Sequence, residues 1–270
     1  MKNLLVATDF SDCARNALNY AISLAKEKQC HIILMHANDL TVYGDGISPM
    51  EGNVKLASQK ISEESLEKEV ERVQGQLDTV QVTSEFFVGD IVAGLQERAQ
   101  QGDIWLTIMG TTGQNSSGLF WGSKSMNAMR SHTGPILLVP PQSSYQDVDR
   151  MMLCMDIHAN NERFPFAEVK GWVQEMHASL DILNVQPLDP FDEEDENEHL
   201  KPFEGISYSF HSMESEQLRD AITFYLDKHG SDWLIVIPKK YNFFESLFHR
   251  SKSEVISKAS NVPVLALHTS

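Results

Sequence analysis

The chain carries one pattern twice. Gly102, Trp105, Leu106, Leu119, Phe120, Ser123, Lys124, Ser125 and Pro135 recur 128 positions later as Gly230, Trp233, Leu234, Leu247, Phe248, Ser251, Lys252, Ser253 and Pro263, without a gap. A fixed-period match means two structural units of one design. A length of 270 residues is enough for two cores of ~130 residues each. The first unit is expected over residues 1–142, ending in the apolar run Ile136 to Val139 and the polar linker Pro140 to Ser144. The second is expected over residues 149–270, and the paired tryptophans Trp105 and Trp233 are read as core.

Within the first unit, short β-rich runs alternate with helical patterns. Leu4–Thr8, Ile32–His36, Thr83–Val88, Ile104–Met109 and Ile136–Val139 read as strands. The first helix opens at Ser11, a good N-cap, with Ala14, Ala17, Leu18, Ala21, Ile22 and Ala25 on one face. Further helices are expected over Leu56–Leu77, Ile91–Gln100 and Ser123–Ser131, with Pro49 in a long insert before the second. The second unit repeats the plan with Met151–Met155, Asp181–Val185, Ile206–Phe210, Trp233–Ile237 and Val264–Leu267 as strands. Strands alternating with helices pair in parallel through right-handed crossovers, so the fold class is α/β, an open parallel sheet in each unit. Ligands of such sheets bind beyond the carboxyl ends of the strands, where the strand order reverses.

Only the first unit keeps its glycines. Gly110, Gly113 and Gly122 face Pro238, Tyr241 and Arg250 at the same offset. The segment Met109 to Ser125 leaves a strand and ends by opening a helix, so glycine backbone and the helix's unpaired N–H groups could cradle a phosphate, with hydroxyls from Ser123 and Ser125 and a charge from Lys124. The spacing is not that of a P-loop. A long loop that merely turns a corner is the alternative, but the second unit makes the same journey without those glycines, so chain geometry alone does not demand them. Asp9, at the end of the first strand, would repel phosphate; it either meets ribose or base donors or caps the helix that follows. In the second unit Pro238 removes a donor and Tyr241 and Arg250 fill the would-be cradle, so that unit is expected not to bind.

Charge excludes other functions. A net charge of −16, with 11 basic against 16 acidic residues up to Gln142 and 11 against 22 beyond it, argues against a nucleic-acid partner. Cys13, Cys30 and Cys154 have neither zinc nor redox spacing and read as small buried hydrophobes. No intrinsic metal site is expected, since no histidine of the first unit has ligand spacing and the acidic run Asp192 to Glu198 lacks a glycine turn. With no apolar run long enough for a membrane and no leader-like start, the chain reads as cytoplasmic.

Val6-Ala7-Thr8-Asp9-Phe10-Ser11, the strand ending His36-Ala37, the glycine loop with Gly122-Ser123 and the closing Gly134-Pro135-Ile136-Leu137-Leu138-Val139 together resemble the universal stress protein family in a tandem two-domain form. The resemblance implies two five-stranded, Rossmann-like sheets of the adenine nucleotide alpha hydrolase type, packed as a pseudo-dimer through the last strands, Ile136–Val139 and Val264–Leu267. It further implies ATP or AMP as ligand, with Mg2+ as a counter-ion. Asp9 and the Ala37 backbone would meet the nucleoside, Gly110 and Gly113 the ribose and phosphates, and Gly122, Ser123 and Lys124 the phosphates. The loop holds eight residues between Gly113 and Gly122 where the family has nine, and Ala7 stands where proline is frequent. The function implied is a stress-response regulator with one competent site, and a homodimer is a further option. A protein-interaction module without nucleotide binding is the alternative from another class. Dedicated phosphoryl transfer needs a water-positioning base and a magnesium carboxylate that the sequence does not place, so the chain reads as a binding protein, with slow ATP hydrolysis left open.

Overall fold

The computed structural model describes residues 2–38, 49–77, 80–112, 122–155, 164–186, 200–215, 218–238 and 261–268, with the side chains of 49–55 left aside. The chain divides into two compact units, Met1–Tyr145 and Gln146–Ser270. The first continues past Pro140 because Asn16 Nδ2 donates to the carbonyls of Pro140 (2.9 Å) and Ser143 (2.8 Å), and Tyr145 sets its ring edge-on to Tyr20 at 5.1 Å.

In the first unit β1 (Asn3–Thr8), β2 (His31–Asn38), β3 (Val82–Val88), β4 (Ile104–Gly110) and β5 (Ile136–Val139) alternate with α1 (Asp12–Lys28), α2 (Pro49–Gln74), α3 (Ile91–Ala99) and α4 (Ser123–Ser131). The strands lie in the order β3-β2-β1-β4-β5, all parallel, with Leu4 opposite Ile32 and Leu106, and Met109 opposite Leu138. Helices cover both faces, which is why β1 and β5 are nearly continuous buried apolar runs. The alanine stripe of α1 is buried at Ala14, Ala17, Ala21 and Ala25, and its small side chains let the helix lie close on β1, β4 and β5. Ser11 caps α1 by accepting from the Ala14 N–H at 3.2 Å, and Asp90 caps α3 by accepting from Val92 at 2.9 Å and Ala93 at 3.4 Å.

The second unit repeats this order. Its strands are β6 (Arg150–Cys154), β7 (Ser179–Gln186), β8 (Tyr208–Glu214), β9 (Trp233–Val236) and β10 (Val264–Ala266), arranged β8-β7-β6-β9-β10. Helix α5 (Phe166–Met176) joins β6 to β7, and α6 (Leu218–His229) joins β8 to β9. Trp233 is fully buried against Trp172 on α5, with ring centroids 6.0 Å apart.

Three expectations need correction. Trp105 is only half-buried, because it lies near the start of β4 with the Lys2 ammonium 4.5 Å above its ring, whereas its counterpart Trp233 is core. Pro49 is not in an insert but begins α2, a place where its missing N–H costs nothing and its fixed φ suits the helix. Strand β8 runs from Tyr208 to Glu214 rather than from Ile206 to Phe210; it is an edge strand whose second half is polar at His211, Ser212 and Glu214, and so lacks a continuous apolar signal. The three cysteines are free and buried, and burial pushes the Cys154 thiol far up.

Candidate functional site at the carboxyl edge of the first sheet

Strand order reverses between β1 and β4. From β1 the chain moves through α1 to β2 on one side, and from β4 it moves through α4 to β5 on the other. The carboxyl ends of β1 and β4 therefore open a crevice, the general ligand position of doubly wound sheets. Asp9 follows β1, Ala37 lies near the end of β2 opposite Phe87, and Gly110 closes β4 opposite Val139.

The end of β1 is shaped by local hydrogen bonds. Thr8 Oγ1 accepts from the Phe10 N–H at 3.0 Å, and Asp9 Oδ1 accepts from the Ser11 N–H at 3.0 Å, so Asp9 does serve the turn that leads to the α1 cap. Phe10 adopts φ 62°, a left-handed conformation costly for a bulky residue. His36 is what holds it there. Its Nδ1 lies 2.7 Å from the Thr8 carbonyl, which can only accept, so Nδ1 carries the proton, and its ring packs against Phe10 with centroids 4.5 Å apart. Sequence reasoning gave His36 no role beyond ending a strand, yet a histidine at a strand end beside an Asp-aromatic turn was the available signal.

Gly110 and Gly122 turn out to be glycines for different reasons. A Cβ on Gly110 would stand 2.9 Å from Cys13 Sγ and 3.1 Å from both the carbonyl carbon and oxygen of Cys13. The close seat of α1 on β4 therefore admits a side chain only if the start of α1 shifts, which corrects the expectation that chain geometry does not demand this glycine. The fold makes no such demand of Gly122. It has an ordinary φ of −70°, and among the described residues a Cβ there would meet nothing nearer than the Thr111 carbonyl oxygen at 3.6 Å.

Gly122 is the N-cap of α4 and Ser123 its first helical residue. The helix start is pinned to the end of β4, since the Gly122 N–H donates to Thr111 O at 2.6 Å and the buried Ser125 hydroxyl lies 2.6 Å from the same oxygen. Being glycine, the cap supplies no side-chain acceptor, and the first intrahelical bond is from the Met126 N–H to Gly122 O. Among the described residues the N–H groups of Ser123, Lys124 and Ser125 have neither a preceding helical turn nor a cap side chain to bond. Helices α1 and α3, by contrast, are capped by Ser11 and Asp90. Both Ser123 and Lys124 are exposed. The helix's far end is fixed by buried His132, whose Nε2 meets Thr107 Oγ1 on β4 at 2.9 Å.

Asp9, Ala37, Gly110, Gly122, Ser123 and Lys124 thus share one edge of the unit. Gly113 and the rest of the loop to Trp121, like Tyr241 and Arg250 of the second unit, lie outside the described residues. Pro238 follows β9 half-buried. Among the described residues no group of three or more His, Cys, Asp or Glu side chains is arranged to hold a metal ion, and no helix is long and apolar enough to cross a membrane.

Two parallel five-stranded sheets of this order, with helices joining the strands, place the chain in the doubly wound α/β class. It belongs to the universal stress protein family, whose model matches residues 1–140. The universal stress protein MJ0531 of Methanocaldococcus jannaschii is 28% identical over 141 residues, covering 51% of this chain and 81% of that protein. A universal stress protein of Archaeoglobus fulgidus superposes over 99% of this chain and 96% of its own with a TM-score of 0.67 and 20% identity. The structure of PA1789, a functionally unknown protein of Pseudomonas aeruginosa, covers 100% of this chain and 93% of its own with a TM-score of 0.57 and 14% identity. At those identities the two structures speak for the fold alone.

Proposed function

We propose that the chain is a stress-response regulatory protein that binds ATP or AMP in its first unit. The observation that carries the reading is the open start of α4. Three N–H donors at the positive end of a helix lie at the strand reversal, and the glycine at its N-cap offers them no side-chain acceptor. That arrangement suits a phosphate. Lys124 adds a point charge, Mg2+ would serve only as counter-ion to a triphosphate, and Gly113 is assigned to the same cradle. Asp9 and the Ala37 backbone take the nucleoside, with Asp9 already oriented by the Ser11 N–H. The second unit, with Pro238 where Gly110 stands, is assigned no nucleotide.

Calorimetric titration of the full chain with ATP and with AMP tests the reading. One site per chain is expected, lost in Gly113→Arg while the melting temperature holds. No heat at millimolar nucleotide, or two equivalent sites, would overturn it.

A further inference from the structure

The second unit carries a hollow of ≈ 380 Å³ between edge strand β8 and helix α6, far from the unit's strand reversal. Phe210, His211, Phe224, Tyr225, Lys228 and His229 line it. None of the described lining residues carries a carboxylate, although the chain as a whole has 38 acidic residues. Basic groups and aromatic faces have been gathered here against the general charge of the molecule.

The wall is built in advance of any ligand. Asp181, 7% exposed on β7, accepts the Ser209 hydroxyl at 2.6 Å, which uses the only proton of that hydroxyl. His211 Nε2, 3.1 Å from Ser209 Oγ, must then be the donor, so the chain from Asp181 through Ser209 fixes the ring's tautomer and orientation. Ser209 stands between the carboxylate and the imidazole, an order that cannot activate the hydroxyl as a nucleophile. Tyr225 also bonds Asp181, and burial first, then that carboxylate, pushes its hydroxyl well above the usual range. Its ring stacks on His229 with centroids 4.5 Å apart at 23° and meets His211 at 5.0 Å.

Lys228 and His229 occupy the last turn of α6, where cations complement the negative end of the helix. Phe224, one turn earlier, leaves 58% of its surface in water with the Lys228 ammonium 5.9 Å from its ring. A flat apolar ring held open to solvent beside an ammonium and the His229 imidazole recognises a flat apolar molecule with a negative charge.

We propose that this hollow is a second ligand site, taking a small aromatic carboxylate whose ring packs on Phe224 and Tyr225 and whose charge is met by Lys228 and His229, with His211 forming part of the wall. It is independent of the nucleotide reading, since it involves other residues in the other unit.

The probe is 2-naphthoate, followed by NMR titration of the full chain, with its neutral carboxamide as control. Shifts centred on His211, Phe224 and Lys228 are expected, with binding about tenfold weaker for the carboxamide and for Lys228→Glu. Because Lys228 and Phe224 are exposed, Lys228→Glu and Phe224→Ser should leave the fold intact. Phe224→Ser tests the aromatic half of the site and should weaken binding as well. Shifts located elsewhere, unchanged affinity in both variants, or no shifts at millimolar probe would overturn the proposal.

Discussion

Gly110→Ala adds one methyl group at the tightest point of the first unit. The new Cβ would stand 3.1 Å from the Cys13 carbonyl carbon and oxygen and 2.9 Å from its sulfur. The thiol can rotate away, but the backbone atoms belong to the first turn of α1 and move only with the helix. Lifting that end disturbs the Ser11 cap and the alanine stripe packed on β4, an overpacking change worth about 2 kcal/mol. For a unit of about 145 residues the entropy of unfolding near the midpoint is about 0.3 kcal/mol/K, so the unit's melting temperature should fall by about 7 °C. Gly122→Ala is the comparison variant: among the described residues its Cβ would make only ordinary contacts, and the poorer N-cap residue should lower the melting temperature by only about 2 °C. Differential scanning calorimetry of both variants reads the difference. Equal melting of Gly110→Ala and wild type would refute the packing account of that glycine.

Other perturbations follow from named contacts. Gly122→Asp supplies the missing cap acceptor, so it should raise stability by a few tenths of a kcal/mol while weakening ATP at least about tenfold through a carboxylate in the phosphate position, read by calorimetry of both kinds. Arg98, 9% exposed, forks to both oxygens of Glu85 (2.9 and 3.1 Å) and both of Asp103 (2.5 and 3.1 Å). Arg98→Met should cost about 2 kcal/mol by urea denaturation, less than a fully buried pair because both carboxylates reach water. The Arg98 hydrogen bonds also hold the Asp103 carboxyl below its ordinary 3.8, so this contribution is complete above that pH and is lost as pH falls beneath it. Burial and then the Arg98 charge lower His31 from 6.5, so the unfolded chain takes up its proton first; stability should decline as pH drops below 6.5, and His31→Gln should flatten that slope.

The alternation of strands and helices was legible because apolar runs and amphipathic helices follow one another strictly, and the repeat showed that the plan occurs twice. Boundaries were lost where the local signal runs against the outcome. Pro49 reads as a breaker until it is placed at a helix's first position, and β8 hides its second half behind His211, Ser212 and Glu214. At the candidate site, the sequence pointed to the carboxyl edge of the first sheet but gave all its glycines one explanation. The reason for Gly110 is a contact with Cys13, remote in sequence and visible only once α1 lies on β4. Likewise, the His36 bond to Thr8 and the fork of Arg98 join residues whose separation carries no period.

The central claim is that the uncapped start of α4 receives a phosphate, and the amide resonances of Ser123, Lys124 and Ser125 report on it directly. Saturating the full chain with ATP should move these three amides downfield as their N–H groups gain a charged acceptor, while the amides of Val264 to Ala266 in the second unit stay in place. Nucleotide binding that leaves the three amides unmoved, or that moves only those of the second unit, would contradict the account.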